Sequence, residues 1–484
     1  MTSRPDGFDA VVVGAGPNGL LGALRLTMAG QRVLVLERAD RVGGALRSEE
    51  LTLPGFVHDV GATVLPLALG SPAFRALALR DDEVRWAYGA AELAHPLDDG
   101  PGAVVRRDLD TTAAQLGADG SFWRHVVGRA AAAGPDLADA LLSPLSLPAG
   151  RALLPLARYG PVGGLPASAV AHTLLRTDRG RALFGGLAAH SVLRLSQLSS
   201  SGYGIFMAAL AHSVGWPVVA GGSGRLADAL SARLATLGAE IQTSTRVRSL
   251  GDVPAAPVVL LDVAPGQLVD LAGDTLPPGY RRRLLQFRHG PGVFKVDYAL
   301  DGPVPWLDAG AREAPTVHLG GTFTEVALSE RTMSRGGHSE RPYVIAVQAT
   351  VADASRAPAG KHTLWAYCHV PNGSTVDMTS AIEAQLDRYA PGWRDLVLAR
   401  HVMAPADLAH WNPNLVGGDV GGGASDLRQF VARPVLSARP WRTPLTGVYL
   451  CSASTPPGGG VHGMGGWHAA GCALRDSGVR DLPG

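Results

Sequence analysis

The sequence predicts an α/β fold in which a parallel sheet is interrupted by a second region of mixed α+β structure. Three observations indicate this: a strand–turn–helix–strand unit near the start, a second glycine-rich turn and helix after residue 220, and a closing strand, glycine loop and helix. Pieces of one sheet that lie far apart in sequence imply an inserted domain. We expect one domain from 1–70, 217–266 and 431–484, and a second from 71–216 and 267–430.

The first unit has the order that a Rossmann-like dinucleotide site requires. Its elements are a strand at 9–13, a helix at 20–29 that Gly30 ends, and a strand at 33–36. Gly14, Gly16 and Gly19 form G-x-G-x-x-G, which permits a tight turn, close approach of a pyrophosphate and packing of the helix. Glu37 follows the second strand, where a carboxylate accepts hydrogen bonds from ribose hydroxyls. The sequence therefore predicts a dinucleotide site.

Composition argues against several classes of function. The 484 residues include 43 basic and 42 acidic side chains, so no broad field of charge favours binding of nucleic acid. The three cysteines form no C-x-x-C pair, which argues against a redox-active disulfide. No stretch is long and apolar enough to predict a membrane span, and the first residues show no secretory signal. We expect a cytoplasmic protein.

The two inserted regions differ in character. Residues 71–200 are rich in Ala, Leu and Arg and predict helices, whereas residues 267–430 contain strand-like runs separated by Pro/Gly loops. The apolar segment 139–160 suggests two alternatives, contact with a membrane surface or ordinary packing in a helical subdomain. Its prolines break any long amphipathic face, which favours packing.

Two further glycine-rich stretches predict contacts with a ligand. Gly43, Gly44 and Arg47 combine backbone that allows close approach with a cation that suits a phosphate, although an ordinary turn is the alternative. Near the end of the chain, a strand leads into the glycines of 458–466 and a helix from about Gly466. Backbone without side chains at these positions would lie directly against a flat ligand.

Together these stretches resemble the phytoene-dehydrogenase-related flavoproteins, within the phytoene desaturase and amine oxidase superfamily. The resemblance rests on VVVGAGPNGL, LERADRVGGALRS and LPGFVHDVGA near the start, GWPVVAGGSGRLADAL in the middle and CSASTPPGGGVHGM at the end. It extends over nearly the whole chain. The resemblance implies FAD as the cofactor, in a Rossmann-like FAD-binding domain of the glutathione-reductase type that is interrupted by a mixed α+β substrate domain.

The resemblance also implies which residues contact FAD. The pyrophosphate would lie against the first turn and helix, at Gly14, Gly16, Pro17, Asn18 and Gly19. The adenosine would contact Glu37, Arg38 and Val247, and the phosphate–ribityl part would contact Gly43, Gly44 and Arg47. The ribityl chain and the flavin ring would contact Ser454, Gly460, Val461, His462 and Met464, with Gly61, Ala62 and Thr63 on the other approach to the ring.

The chain departs from this family at two places. Many members have an acidic residue near the ribityl chain, where this chain has CSAS at 451–454. Gly465 and Trp467 stand where relatives commonly have Cys and Tyr. We therefore expect Trp467 to form a flat wall on the substrate side of the flavin and Gly465 to leave room beside it.

Lys295 is the candidate catalytic residue. It lies in the strand-like run 293–298 and is one of only two lysines in a chain that otherwise uses arginine. In the amine oxidase relatives a strand lysine approaches flavin N5 through a water, and the resemblance implies this role for Lys295. The alternative is a structural lysine that lies on a solvent-exposed face or pairs with Asp297. The sequence shows no Ser/His/Asp triad and no metal-ligand spacing.

We expect an FAD-dependent dehydrogenase, desaturase or oxidase that acts on a largely apolar small molecule. The turn at 221–224 lacks the spacing of a second dinucleotide site, so the reduced flavin would pass electrons to O2 or another acceptor. One alternative is an amine oxidase, which requires an aromatic pair beside the flavin, with candidates Tyr203, Trp216, Trp365 and Trp467. Another is a non-redox isomerase or a protein that only binds FAD.

Overall fold

The computed structural model describes residues 7–143 and 153–481. Within these ranges the strands β1 to β16 are Ala10–Val13, Val33–Leu36, Ser48–Glu49, His58–Asp59, Trp86–Ala87, Leu93–His95, Ala103–Val105, Val218–Val219, Glu240–Gln242, Val258–Leu261, Gly292–Leu300, Thr316–Leu319, Val344–Val347, His362–Val370, Val397–Met403 and Val448–Leu450. The helices α1 to α19 are Pro17–Met28, Pro66–Gly70, Pro72–Leu77, Leu109–Gln115, Gly120–Phe122, Gly128–Leu141, Leu153–Gly163, Ala167–Thr173, Asp178–Ala189, Ser200–Ser213, Gly224–Thr236, Pro265–Ala272, Pro278–Leu285, Ala309–Glu313, Phe323–Ser334, Thr379–Tyr389, Pro405–Trp411, Leu427–Val431 and Met464–Asp476.

A five-stranded sheet contains the first predicted unit. Its strand order is β16–β10–β1–β2–β9, and all neighbouring strands run parallel. The central strands are short apolar runs, AVVV in β1 and VLVL in β2, because both faces of the sheet are covered. The five strands come from distant stretches of the chain, 10–36, 240–261 and 448–450. The predicted α/β fold with an interrupted parallel sheet is confirmed, whereas the domain boundaries stay a prediction.

Helix α1 begins at Pro17, three residues before the start at residue 20 that the sequence analysis expected. Pro17 occupies a first-turn position, which suits its fixed φ and its missing N–H. The helix crosses α19 at close range, since a Cβ on Gly466 would lie 1.7 Å from the carbonyl oxygen of Asn18. Helix α19 itself begins at Met464, slightly before the expected start at Gly466.

A seven-stranded sheet, in the order β15–β11–β14–β13–β12–β6–β7, forms the second layer. Its strands pair antiparallel except β12 and β6, which run parallel. Because side chains alternate along a strand, the sheet has two distinct faces. One face, with Phe294, Val296 and Leu364, packs against α16. The opposite face, with Trp365 and Ile345, packs against α9 and α10.

The expectation of helices throughout 71–200 was wrong in one part. Strands β6 and β7 lie in this stretch and complete the seven-stranded sheet. Each has only three residues, which is too short for a recognisable alternation, and β6 pairs with β12 far along the chain. Of the apolar segment 139–160, residues 144–152 lie outside the described residues, so the favoured alternative, ordinary packing, stays a prediction. Elsewhere in the described ranges, no helix is long and apolar enough to cross a bilayer.

Candidate functional site

A cavity of about 770 Å³ lies between the two sheets. On one side its wall is the carboxyl-terminal edge of the five-stranded sheet, with Val13, Leu36 and Asp262. On the other side its wall is the seven-stranded sheet, with Lys295 and Trp365. Ligands of open α/β sheets bind outside the carboxyl ends of the strands. The cavity therefore connects a dinucleotide-binding edge with a second chamber.

The first glycine-rich turn brings bare backbone to this cavity. A Cβ on Gly44, whose φ is +54°, would lie 2.7 Å from Cα of Gly16. A Cβ on Gly16 would lie 2.8 Å from Oδ2 of Asp262. Asn18 lines the cavity at the start of α1, and its buried Oδ1 has no hydrogen-bond partner among the described residues. Bare backbone at a helix N-terminus suits a phosphate-containing ligand. The Oδ1 of Asn18 is an acceptor and would pair with a hydroxyl group rather than with a phosphate.

Glu37 lies at the edge where the sequence analysis expected it. Its carboxylate accepts hydrogen bonds from the backbone N–H groups of Ala15 and Ala39, both at 2.8 Å. The carboxylate is only 8% exposed but lines the cavity, and its oxygens have lone pairs left for ribose hydroxyls. Arg38 and Val247 line the same cavity.

Asp262 is a site residue that the sequence analysis missed. It follows β10, lines the cavity, and accepts a hydrogen bond from the N–H of Gly19 at 3.1 Å through Oδ2. Burial, opposed by that hydrogen bond and reinforced by the charge of Glu37, raises the pKa of Asp262 to about 7. Its position directly after a strand of the parallel sheet, like that of Glu37, is the signal that would have identified it.

Arg47 lines the cavity, but its charge is already partly compensated. Its Nη2 lies 2.9 Å from Oε1 of Glu49, and its guanidinium carbon lies 5.8 Å from the ring centre of Trp411. Gly61, Ala62 and Thr63 also line the cavity, as does Gly44. Thr63 accepts a hydrogen bond from the indole N–H of Trp365 at 2.8 Å, which joins the two walls.

The loop before α19 supplies part of the wall. Ser454, Gly460 and Val461 line the cavity, and the Ser454 hydroxyl donates to the carbonyl of Gly422 at 2.9 Å. His462 and Met464 do not belong to the lining. Instead, Nδ1 of His462 accepts from the N–H of Met464 at 3.0 Å and so caps α19. Burial lowers the pKa of His462 to about 4, which keeps the imidazole neutral and able to accept.

Most of the residues predicted to contact the cofactor line this one cavity, including Pro17 in the first turn and Val461 in the loop before α19. The exceptions are Gly19, Gly43, His462 and Met464. Gly43 shapes its own turn, since a Cβ there would lie 2.3 Å from the carbonyl oxygen of Leu46. Gly19 packs against the backbone of Gly14, where a Cβ would lie 2.0 Å from the carbonyl oxygen. These glycines support the lining without forming it.

Trp467 lies outside the cavity, contrary to its expected place on the substrate side. Its indole is buried in the core beneath α1, with the guanidinium carbon of Arg25 at 4.9 Å from the ring centre. Gly465 leaves no room for a ligand either, because a Cβ there would lie 2.6 Å from the carbonyl oxygen of Cys451. The crossing of α1 and α19 and the packing of the preceding loop account for the small residues here.

Lys295 pairs with Asp297, which is the structural alternative of the sequence analysis, and it does so at the cavity wall. It lines the cavity at 3% exposure. Its ammonium also donates to both carboxylate oxygens of Asp297, at 2.7 and 2.8 Å, and to the carbonyl of Asp59 at 2.9 Å. Burial by itself would raise the pKa of Asp297, but the Lys295 and His58 side chains lower it below its ordinary value. The pair is thus a buried ion pair at the cavity wall.

The chamber beside the seven-stranded sheet is mostly apolar. It is lined by two aromatic rings, Trp365 and Tyr367, stacked at 5.4 Å with an angle of 18° between them. Trp216, but not Tyr203 or Trp467, joins Trp365 in the lining. Since Trp365 stacks directly on Tyr367, these two rings leave no gap for a ligand between them. The remaining wall includes Leu65, Leu67, Met207, Val293, Ile345 and Val347.

Comparisons with known proteins agree with this architecture. The profile described as "NAD(P)-binding Rossmann-like domain" matches residues 12–78. Pyridine nucleotide-disulfide oxidoreductase domain-containing protein 2 of Mus musculus is 28% identical over 97% of this chain and 94% of its own length. Phytoene dehydrogenase of Streptomyces griseus is 30% identical over 75% of this chain and 73% of its own length.

Solved structures show the same fold. An oxidoreductase from Methanosarcina mazei aligns with a TM-score of 0.64 at 17% identity, over 96% of this chain and 99% of that one. A redesigned putrescine oxidase aligns with a TM-score of 0.62 at 18% identity, over 97% of this chain and 99% of that one. At these identities the likeness concerns the fold alone.

Proposed function

Since the chain belongs to the phytoene dehydrogenase family of oxidoreductases, we propose that it binds FAD and dehydrogenates a largely apolar small molecule. The observation that carries the proposal is the cavity, in which a dinucleotide-binding edge and an apolar chamber are continuous. In such enzymes the cofactor carries the redox chemistry, while the protein binds, orients and tunes. We assign the FAD-binding domain to 1–70, 217–266 and 431–484, and the substrate domain to the remainder.

The residues at the edge of the five-stranded sheet fit FAD. Gly16 and Gly44 line the cavity without side chains, so their backbone can approach a pyrophosphate, and Glu37 has lone pairs free for a ribose. Ser454 and the 458–461 loop supply the part of the wall that comes from late in the sequence. They would contact the ribityl chain and the flavin ring. When bound, FAD supplies a two-electron acceptor for a C–H bond of the substrate.

The second chamber supports an apolar substrate. Pockets bind small molecules through mostly apolar walls with few placed polar groups, and the wall described above has this composition. The acidic residues that line the cavity are Glu37 directly after β2, Asp262 directly after β10 and Asp270 in α12, and none of these three lies on the seven-stranded sheet. The reaction is either C–C desaturation or oxidation next to a heteroatom, and O2 or another acceptor reoxidises the flavin.

Lys295 would act through its charge. An ammonium has three N–H donors, and the contacts to Asp297 and to the carbonyl of Asp59 engage them. These contacts hold the ammonium at the cavity wall, where a cation stabilises negative charge that develops nearby. The role of a donor to a bound water would require one of these hydrogen bonds to be given up.

Anaerobic reduction tests the proposed reaction. The purified protein would be mixed, without O2, with a panel of apolar alkenes, alcohols and amines, and its flavin absorbance followed. At least one neutral apolar compound should bleach the flavin stoichiometrically. Flavin that no panel member bleaches would indicate an isomerase or a protein that only binds FAD. Bleaching by amines alone would indicate an amine oxidase.

Gly16→Val tests the cofactor site itself. The side chain would occupy the space between the turn, Asp262 and Gly44, so FAD should no longer be retained while the chain stays folded. Gly266→Val is the matched control, because a Cβ there meets nothing within 4 Å and Gly266 lies outside the cavity lining. Retention of FAD by folded Gly16→Val protein, at the level of the control, would refute the assignment.

A further inference from the structure

The apolar chamber contains a polar group whose hydrogen-bonding capacity is unused. Thr316, in β12, is 1% exposed and lines the cavity. Its Oγ1 has no hydrogen-bond partner in the described part of the chain. A buried hydroxyl without a partner costs free energy, on the order of 1–3 kcal/mol, unless a ligand or water satisfies it. Because Thr316 lines the cavity, rotation about its χ1 would present the hydroxyl to a ligand in the chamber.

A second polar group lies in the same wall. His190 directly follows α9, lines the cavity, and makes an Nε2–Nε2 hydrogen bond of 3.0 Å with His318. His318 lies on β12 two residues from Thr316, and side chains two residues apart share one face of a strand. The His190 imidazole and the Thr316 side chain therefore line the chamber beside the same strand, β12.

The hydrogen bonds of the neighbouring histidines fix the tautomer of His190. His318 is fully buried, and its Nδ1 has no partner among the described residues. An unsatisfied N–H is the more costly state there, so His318 carries its proton on Nε2 and donates it to His190. Neutral His190 then accepts at Nε2 and carries its own proton on Nδ1. Within the described structure no hydrogen bond engages that Nδ1, which leaves an N–H donor at the cavity wall.

His95 is the third histidine of this buried cluster. Its Nε2 lies 2.7 Å from the carbonyl oxygen of Gly321, which accepts, so Nε2 is protonated and Nδ1 is bare. Gly186 lets both inner histidines approach, because a Cβ there would lie 2.8 Å from Nδ1 of His95 and of His318. Burial lowers the pKa of His190 to about 3 and that of His95 to about 4, so both are neutral near pH 7.

We infer that His190 and Thr316 form a subsite for a neutral oxygen of the substrate, a carbonyl or a hydroxyl group. The inference rests on the proposed function, since it assigns the substrate of that same cavity. His190 donates one hydrogen bond to the oxygen, and the Thr316 hydroxyl donates a second or accepts from a substrate hydroxyl. Both residues position the substrate and take no part in the redox step.

The register of the sheet gives the distance between this subsite and the charge pair. Asp297, Trp365, Val347 and Thr316 lie opposite one another on four successive strands. Three strand spacings amount to about 14 Å. A substrate that reaches from Lys295 to the subsite is therefore elongated, with its oxygen remote from the bond that is oxidised.

Because the subsite carries no charge, it disfavours substrates with an ammonium or a carboxylate group there. Among the described residues that line the chamber on the seven-stranded sheet, none carries a carboxylate, so a substrate ammonium finds no counter-ion there. A carboxylate would meet neutral donors and an apolar wall, at a large cost in desolvation. A neutral oxygen needs only the hydrogen bonds that Thr316 and His190 leave open.

Two isosteric ligands test this inference. p-Acetylbiphenyl and p-isopropenylbiphenyl differ only in an oxygen that replaces a CH2 group, and quenching of tryptophan fluorescence reports binding because Trp216 and Trp365 line the cavity. The wild-type holoenzyme should bind the ketone about tenfold more tightly, as one to two hydrogen bonds predict. Thr316→Val and, independently, His190→Phe should each reduce this ratio to roughly three, because one of the two hydrogen bonds remains.

Thr363→Val is the matched control for Thr316→Val. Thr363 is 3% exposed and its Oγ1 also has no partner in the described ranges, but it lies outside the cavity lining. Thr363→Val should keep the wild-type ratio. Equal affinities for the two ligands in the wild type, a wild-type ratio in Thr316→Val, or tighter binding of biphenyl carboxylate or biphenylmethylammonium would overturn the inference.

The same samples separate the two proposals. Their FAD content, measured after heat release, tests the cofactor independently of ligand binding. Protein without FAD that still prefers the ketone would refute the proposed function and keep the subsite. FAD-containing protein without this preference would refute the subsite alone.

Discussion

Replacing Lys295 by methionine perturbs the charge pair at the cavity wall in a predictable way. Asp297 is fully buried, and Lys295 is 3% exposed with its Nζ 2.7 Å from Oδ2 of Asp297. In Lys295→Met, the ionisable neighbour that the carboxylate keeps within the described ranges is His58, with Nδ1 at 3.5 Å from Oδ1. Removing one partner of a buried ion pair costs about 3–5 kcal/mol, because the other charge stays buried and unpaired. We expect a loss of this size in the free energy of unfolding.

The loss should grow with pH. In the wild type, burial opposes ionisation of Asp297, but Lys295 and His58 hold its pKa below the ordinary value. Without Lys295, burial dominates and raises this pKa above its unfolded value, so the folded variant binds a proton more readily than the unfolded chain. The stability of the variant relative to the wild type therefore falls as pH rises above about 4, the unfolded value.

Urea denaturation at mildly acidic and at mildly alkaline pH measures this effect. The double variant Lys295→Met/Asp297→Asn removes both charges and should recover most of the lost stability, since replacing a whole buried pair is nearly neutral. An unchanged midpoint in Lys295→Met, or a double variant no more stable than the single one, would refute the reasoning. The folded double variant also allows the flavin half-reactions to be compared with the wild type, which tests the proposed role of the Lys295 charge.

Three further predictions concern the dinucleotide edge. Glu37→Ala should weaken FAD binding by about 1–3 kcal/mol in equilibrium dialysis, the value of a charged hydrogen bond to ribose, and wild-type affinity would contradict this role. Wild-type FAD retention should fall as pH rises through the pKa of Asp262, about 7, because an ionised carboxylate repels phosphates. Asp262→Asn should remove this pH dependence, and a dependence that persists in the variant would contradict the role of Asp262. Gly466→Ala should lower the unfolding free energy by about 1–3 kcal/mol, because its Cβ would lie 1.7 Å from the carbonyl oxygen of Asn18. An unchanged midpoint of urea denaturation would contradict the close crossing of α1 and α19.

The features that the sequence predicted well are local ones. Strand β1, the glycine-rich turn, α1, β2 and Glu37 occur within one short stretch, and each follows from hydrophobic periodicity or glycine spacing. Long strands such as Gly292–Leu300 and His362–Val370 were also predictable, because nine residues reveal a strand even without its partner. The interrupted parallel sheet followed from the return of the same local pattern.

The features that the sequence did not predict depend on distant contacts. Strand β6 is stabilised by β12, and nothing in its three residues indicates that pairing. Thr316 and His190 lie in the same cavity wall because His190, directly after α9, hydrogen-bonds His318 on β12, so neither had a sequence signal. Trp467 was placed on the substrate side by analogy with relatives, but the helix face on which it lies is set by the crossing with α1.

Identifying the cofactor that heat releases from the purified protein tests the central claim most directly. The account predicts a yellow protein that releases FAD in stoichiometric amount, since the cavity, the open backbone at Gly16 and Gly44, and Glu37 all fit that dinucleotide. Colourless protein that FAD does not reconstitute, or protein that releases a nicotinamide dinucleotide instead, would contradict it.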